Sequence, residues 1–403
     1  MADTVITGLG VFAPTGIGAE EHWTAVLDGK SGIGHITRFD ASGYPVVLAG
    51  EVPGFDAREH VPGRLIPQTD TWTHLALAAA EAALADSGAD PKSLPEYEMA
   101  VVTSSSSGGT AFGQGEMERL YQKGPSWVGA YQSIAWFYAA TTGQISIQHG
   151  MRGPCGVICA EQAGGLDVVA QARRLLRTQS RLVVTGGTDS AMCPYGLVAQ
   201  MANGLMSTSD DPARAYVPFD ADARGYVPGE GGAILIAERA EGAEGRGYGA
   251  ILGHASGFDQ SERTGRPPVL AATIRRALDD AGLNPSGVDV VFADAAGTPE
   301  LDRIEAEALA AVFGPRGVPV TAPKTLTGRL YGGGAPLDVA TALLALRDGV
   351  IPHTAGTERL ARGMEIDLVL GQPRQQPLST ALVVARGYGG FTAALVLGRG
   401  DRA

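Results

Sequence analysis

A chain of 403 residues, 44% hydrophobic and 18% charged, has the apolar content for a large core and the balance of a compact soluble protein. Its formal net charge of −12 comes without a concentrated basic stripe, which argues against a nucleic-acid partner. No run of roughly eighteen apolar residues is present, nor a basic start followed by an apolar segment, so neither a membrane span nor a secretion signal is predicted and a cytoplasmic protein is expected.

In chain order, Thr4 to Gly8 reads as a first strand. A helix is predicted over Trp72 to Ser87, capped by Asp70 or Thr71 and stopped at Gly88. Met99 to Thr103 reads as a strand running into SSSSGG, Ser104 to Gly109, which lacks the Lys-Ser/Thr ending of a P-loop and reads as a crossover loop. Thr110, Gly113 and Met117 follow at near-helical spacing, so one helix face presents all three.

Val157, Ile158 and Cys159 read as the end of a short buried strand, and the segment Gly165 to Arg177 has the spacing of an amphipathic helix. Gln162 stands in the sharp turn between them, where an elbow of this kind exposes a nucleophile above a helix N-terminus. An amide has neither an ionisable proton nor a lone pair useful for acyl attack. Further strands are predicted at Leu182 to Gly186, Ala233 to Glu238, Ala250 to His254, Val288 to Ala293, Asp367 to Gly371 and a closing hairpin. Further helices are predicted at Leu270 to Ala281, Leu301 to Phe313 and Pro336 to Arg347. This βα alternation implies a layered α/β protein. The Gly-rich link from Glu241 to Gly247 divides it into two halves, 1–243 and 244–403. No residue-level repeat is visible between them.

Cys155, Cys159 and Cys193 form an odd set with no CxxC pair, which reads as reduced structural thiols. Cys159 is expected inside the sheet, pointing away from the elbow, and so unsuited to serve as a displaced nucleophile. The seven histidines show no ligand spacing, and no metal is assigned.

Several motifs in the right order resemble the β-ketoacyl synthases: the elbow, Ala295-Ala296-Gly297-Thr298, Lys324-Thr325 with Gly328-Arg329, the Pro218-to-Gly232 stretch, and the closing RGYGGF hairpin. The resemblance covers nearly the whole chain and implies a thiolase-like duplicated fold of five layers, αβαβα. In that family a cysteine takes the acyl chain and two histidines assist decarboxylation. Here Gln162, Ala296 and Arg329 occupy those three positions, so no catalytic residue is expected. The backbone N–H groups of Gln162 and Tyr388 fall at the family's oxyanion hole, vestigial here without a nucleophile. The direct step from Thr298 to Pro299 is two residues shorter than usual and implies weaker hydrogen bonding of a pantetheine arm.

A glutamine elbow with lost histidines resembles the chain-length factor, the ketosynthase β subunit, of type II aromatic polyketide synthases. That implies heterodimerisation with a catalytic ketosynthase α subunit and a tunnel shared with it, lined by Thr110, Gly113, Met117 and Tyr195, where small Thr110 and Gly113 with pliable Met117 leave room for a longer polyketide. No cofactor is implied. The substrate rides on the phosphopantetheine arm of an acyl carrier protein, which docks mainly through the partner because this chain is itself acidic. The alternative is a malonyl-carrier-protein decarboxylase that uses the Gln162 amide. A stand-alone condensing enzyme would need an acyl adduct on Cys159.

Overall fold

The computed structural model describes residues 4–243, 245–260 and 265–400; Glu244, where the second half is expected to begin, lies outside them. Among the described residues, five strands form the path of the first half of the main sheet system, β1 (Thr4–Ala13), β2 (Met99–Ser104), β3 (Cys155–Ile158), β4 (Leu182–Asp189) and β5 (Gly231–Arg239), and the two-residue strand Gly16–Ile17 pairs with β1 off that path. Six belong to the second: β6 (Gly249–Phe258), β7 (Val290–Phe292), β8 (Pro319–Thr321), β9 (Asp367–Leu368), β10 (Thr380–Gly387) and β11 (Phe391–Arg399). Their order in space is β3-β2-β4-β5-β1 in one half and β9-β8-β7-β10-β11-β6 in the other.

Leaving out the added edge strand β9, both orders run third, second, fourth, fifth, first. The directions repeat too. In each half the second strand is parallel to the third and fourth, while the fourth-to-fifth and fifth-to-first pairings are antiparallel. The duplication that the sequence hides is therefore legible in topology. A short antiparallel contact between β1 and β6, Val5 opposite Ala250 and Ile6 opposite Gly249, joins the two sheets.

Among the described residues, nine helices of eight residues or more organise the layers: α1 (Ala19–Leu27), α2 (Thr71–Ser87), α3 (Thr110–Lys123), α4 (Ala140–His149), α5 (Glu161–Thr178), α6 (Pro194–Met201), α7 (Leu270–Ala281), α8 (Pro299–Phe313) and α9 (Gly334–Asp348). Helices α5 and α9 touch each other and strands of both sheets, so they form the middle layer. Outside them, α2 covers β1 and β5, and α7 covers β6 and β11, completing five layers. The sequence of α9 suits that place: every residue from Gly334 to Leu346 is buried, as a helix covered on all sides requires. Close approach of the central pair needs Gly165, since a Cβ there would lie 2.4 Å from Cδ of Pro336.

The element boundaries differ from expectation in instructive ways. Helix α5 starts at Glu161, so Gln162 lies within its first turn and not ahead of it. The strand expected over Asp367 to Gly371 is only two residues long. Cys159 is not inside the sheet: β3 ends at Ile158, and the cysteine beyond it is exposed, as is Cys155 on the same outermost strand. An edge strand has a neighbour on one side alone, so its side chains are not covered as those of a central strand are.

His22 on α1 ties this helix to the central layer, its Nδ1 2.6 Å from Oγ1 of Thr15 and its Nε2 2.9 Å from Oγ1 of Thr341. Complete burial lowers its pKa to about 4. The unfolded chain protonates this group near pH 6.5, above the folded chain, so the stability it contributes is present above pH 6.5 and is lost as pH falls toward 4. Replacing His22 by Gln should remove about 2 to 3 kcal/mol of the difference in unfolding free energy between pH 7 and pH 4.5, read from urea midpoints at the two pH values.

Candidate functional site

The elbow, the end of β7, the loop around Lys324 and Arg329, and the β10–β11 hairpin meet at one buried point. Gln162 is fully buried there. Its Nε2 donates to Oδ1 of Asp294 at 3.0 Å, and its Oε1 occupies the space where a Cβ on Gly334 would stand, only 2.2 Å away. The amide is thus packed into the protein between the two halves. Ala296 is buried as well, and its neighbour Ala295 has φ 50°, a left-handed conformation in which its carbonyl accepts the Tyr216 hydroxyl at 2.7 Å.

Arg329 is the centre of the charged cluster at this point. Its Nε donates to Oε1 of Glu161 at 2.8 Å, its Nη2 lies 3.4 Å from Oδ1 of Asp294, and Nη2 also donates to the carbonyl of Arg386. The guanidinium stands 5.5 Å from the ring centre of Tyr226. Asp294 is shared further. Its Oδ2 accepts from Nε of Arg386 at 3.1 Å, and Oδ1 also accepts the backbone N–H of Arg386 at 2.9 Å. Arg386 reaches Glu305 at 2.9 Å, and Glu305 accepts the N–H groups of Asp294 and Ala295. Lys324 closes the cluster, 2.7 Å from Asp338 and donating to the Asp294 carbonyl at 3.1 Å.

Burial alone would raise the Asp294 carboxyl, but Arg329, Arg386 and Lys324 overrule it and hold the group well below the usual carboxylate range. The same burial raises Glu305 and Asp338, with Arg386 and Lys324 respectively opposing it. The cluster is a dense set of paired charges with no thiol in it.

The N–H of Tyr388, expected in an oxyanion hole, is given to Oε2 of Glu161. The donor expected there is therefore already taken by a carboxylate of the chain itself. Glu161 holds this place from a left-handed backbone, φ 51°, a conformation that costs a residue with a side chain about 1 kcal/mol or more. Cys159 is no substitute nucleophile: partial burial and the Asp189 carboxylate push its thiol up, away from the reactive thiolate.

The four positions expected to line a tunnel are brought to one side of the chain. Thr110 and Gly113 are buried on α3, and the nearest atom to a Cβ on Gly113 would be Cδ1 of Trp136 at 3.5 Å. Met117 on the same helix and Tyr195 on α6 are 38% and 51% exposed. Gln114 couples the two helices, its Oε1 accepting the Tyr195 N–H at 2.9 Å. Glu161, Asp294, Glu305 and Arg386 escaped sequence reasoning, although a charged residue closing an apolar strand, as Asp294 closes VDVVFAD, is the kind of signal that marks a buried ion pair.

Two family models match the chain, the β-ketoacyl synthase N-terminal domain over residues 1–242 and the β-ketoacyl synthase C-terminal domain over residues 248–358. The tetracenomycin polyketide synthase ketoacyl synthase beta subunit of Streptomyces glaucescens is 60% identical, covering 99% of this chain and 98% of that protein. The actinorhodin polyketide putative beta-ketoacyl synthase 2 of Streptomyces coelicolor is 57% identical, covering 98% of each. Among solved structures, the ishigamide ketosynthase/chain length factor superposes with a TM-score of 0.90 at 26% identity over 99% of both chains. A type II polyketide synthase acyl-carrier protein in complex with its ketosynthase bound to the hexaketide gives 0.87 at 24% identity, again over 99% of both chains, a likeness of fold.

Truncating Arg329 leaves Glu161 and Asp294 short of a buried cation. Arg329→Met should cost about 3 to 5 kcal/mol of stability, seen as a lower denaturant midpoint at unchanged slope. Adding Glu161→Gln should recover part of that loss.

Proposed function

The chain belongs to the β-ketoacyl synthase family, and on that premise we propose that it is the chain-length-setting, non-catalytic subunit of a type II polyketide synthase, working as a heterodimer with an active ketosynthase. The observation that carries this reading is the buried ion cluster. Where an acyl-transfer enzyme presents a nucleophile and a free oxyanion hole, this chain presents a packed amide, an arginine and its own carboxylate. Full-length likeness to ketosynthase beta subunits supports it. The division into halves at 243/244 is likewise supported by the two family models, which meet between residues 242 and 248.

The partner brings the cysteine and histidines, and this chain brings a wall. Support comes from the exposed face formed by Met117, Leu120 and Tyr121 at the end of α3 with Trp127, Trp136 and Phe137 just after it. Large apolar side chains left in water at this density mark an interaction surface. Strand β3 lies at the outer end of the same half-sheet, paired with β2 on one side. A ketosynthase covering this face buries the exposed ends of Met117 and Tyr195 and closes a cavity over α3 and α6. The growing poly-β-ketone extends into that cavity from the phosphopantetheine arm of an acyl carrier protein, which docks chiefly on the partner. No separate cofactor is needed for this role, and among the described residues no helix is long and apolar enough to cross a membrane.

The decarboxylase alternative requires the Gln162 amide to face a thioester carbonyl. Its burial and its bond to Asp294 speak against that orientation.

Co-expression with an active ketosynthase and a carrier protein tests the reading. The native mass should equal one copy of each ketosynthase-like chain, and Gly113→Phe, which sets a ring against Trp136, should shorten the polyketide by one or more extension units. Unchanged product length sinks the tunnel assignment. A homodimer that by itself turns over malonyl-carrier protein, and loses that activity in Gln162→Ala, would replace the subunit reading with the enzyme.

A further inference from the structure

We propose that Asp70 is a positioning residue for product length: from the start of α2 it holds the first turn of α3, and so sets where the Thr110, Gly113 and Met117 face stands. The inference rests on the chain-length reading above. Asp70 occupies the N-cap position of α2, as its sequence context suggests, yet its carboxylate is turned toward another helix. Its Oδ2 accepts the N–H of Phe112 at 2.7 Å across 42 residues of chain.

Helix α3 has no side-chain cap of its own, because Gly109 stands at its N-cap position. The opening N–H groups of a helix have no acceptor within it, and a buried start must find one elsewhere. A carboxylate suits this place twice over, by accepting the hydrogen bond and by complementing the positive end of the helix dipole.

Sterics complete the seat. A Cβ on Gly109 would lie 2.1 Å from the Ala135 carbonyl oxygen and 3.1 Å from Cβ of Asp70, so the helix start is fitted between the two. The Gly109 N–H also donates to the carbonyl of Trp136, the residue whose ring covers Gly113. From this buried start, with Asp70 only 3% exposed, the helix runs outward to Met117 at 38%. Farther along, buried Glu116 accepts the Gly129 N–H and pairs with Arg119, and Gln114 passes the register on to Tyr195. Thus the start of the wall on α3, and through Gln114 its continuation on α6, is referenced to a carboxylate that never touches the polyketide.

The test uses the heterodimer with its carrier protein and reads the distribution of product lengths beside native mass and thermal midpoint. Asp70→Ala should leave a heterodimer whose off-length products rise about tenfold, the factor that corresponds to losing one charged hydrogen bond's worth of discrimination. Asp70→Asn keeps the shape with a weaker, neutral acceptor and should fall between, at about threefold. That graded order separates positioning from bulk stability, which would lower yield at constant product length. An assembled Asp70→Ala heterodimer with the wild-type distribution overturns the proposal. If that variant does not assemble, an unchanged distribution in Asp70→Asn overturns it. Gly113→Phe is run alongside: if it shortens the product while both Asp70 variants keep the wild-type distribution, Asp70 alone loses its role, whereas no effect from any variant removes the tunnel reading itself.

Discussion

Burying Asp294 is the constraint on which the rest of the site depends. A carboxylate at the end of a central strand, wholly out of water, is tolerable only if cations and N–H groups surround it, and the fold supplies Arg329, Arg386, Lys324 and the Gln162 amide. These partners come from two separate stretches of the second half and one of the first. Satisfying a single charge thereby fixes the elbow, the Arg329 loop and the closing hairpin relative to one another. Here that junction is filled by the chain's own side chains.

What the sequence shows well is whatever depends on near neighbours along the chain. The helices 71–87, 270–281 and 334–348 follow from apolar spacing and glycine stops, and each ends in a left-handed glycine, Gly88, Gly282 or Gly349. That Gln162 cannot serve as a nucleophile was legible from its residue type alone, because an amide lacks the needed chemistry wherever it points. What fills the site was not. Glu161 and Arg329 are 168 residues apart, and Asp294 and Arg386 are 92 apart, so no local pattern announces that they pair.

Asp70 shows the same limit in milder form. Its position before a helix was readable, but the helix that its carboxylate serves is decided by tertiary packing. Cys159 fails in the opposite direction: alternation along a strand assigned it to the interior, yet its strand lies at the sheet's outer end and stops one residue earlier. The duplication was invisible for a related reason. Two halves that share strand order and direction need share no side chains, since either order can be stabilised by any apolar residues of suitable volume.

The left-handed backbone at Glu161 carries an evolutionary consequence. A glycine would adopt φ 51° without penalty, whereas the glutamate tolerates it because its carboxylate has found Arg329 and Tyr388. Removing the carboxylate would strand a buried guanidinium, and removing the guanidinium would strand the carboxylate on a strained backbone. Neither residue can drift by a single substitution without loss, so the pair is inherited together or not at all.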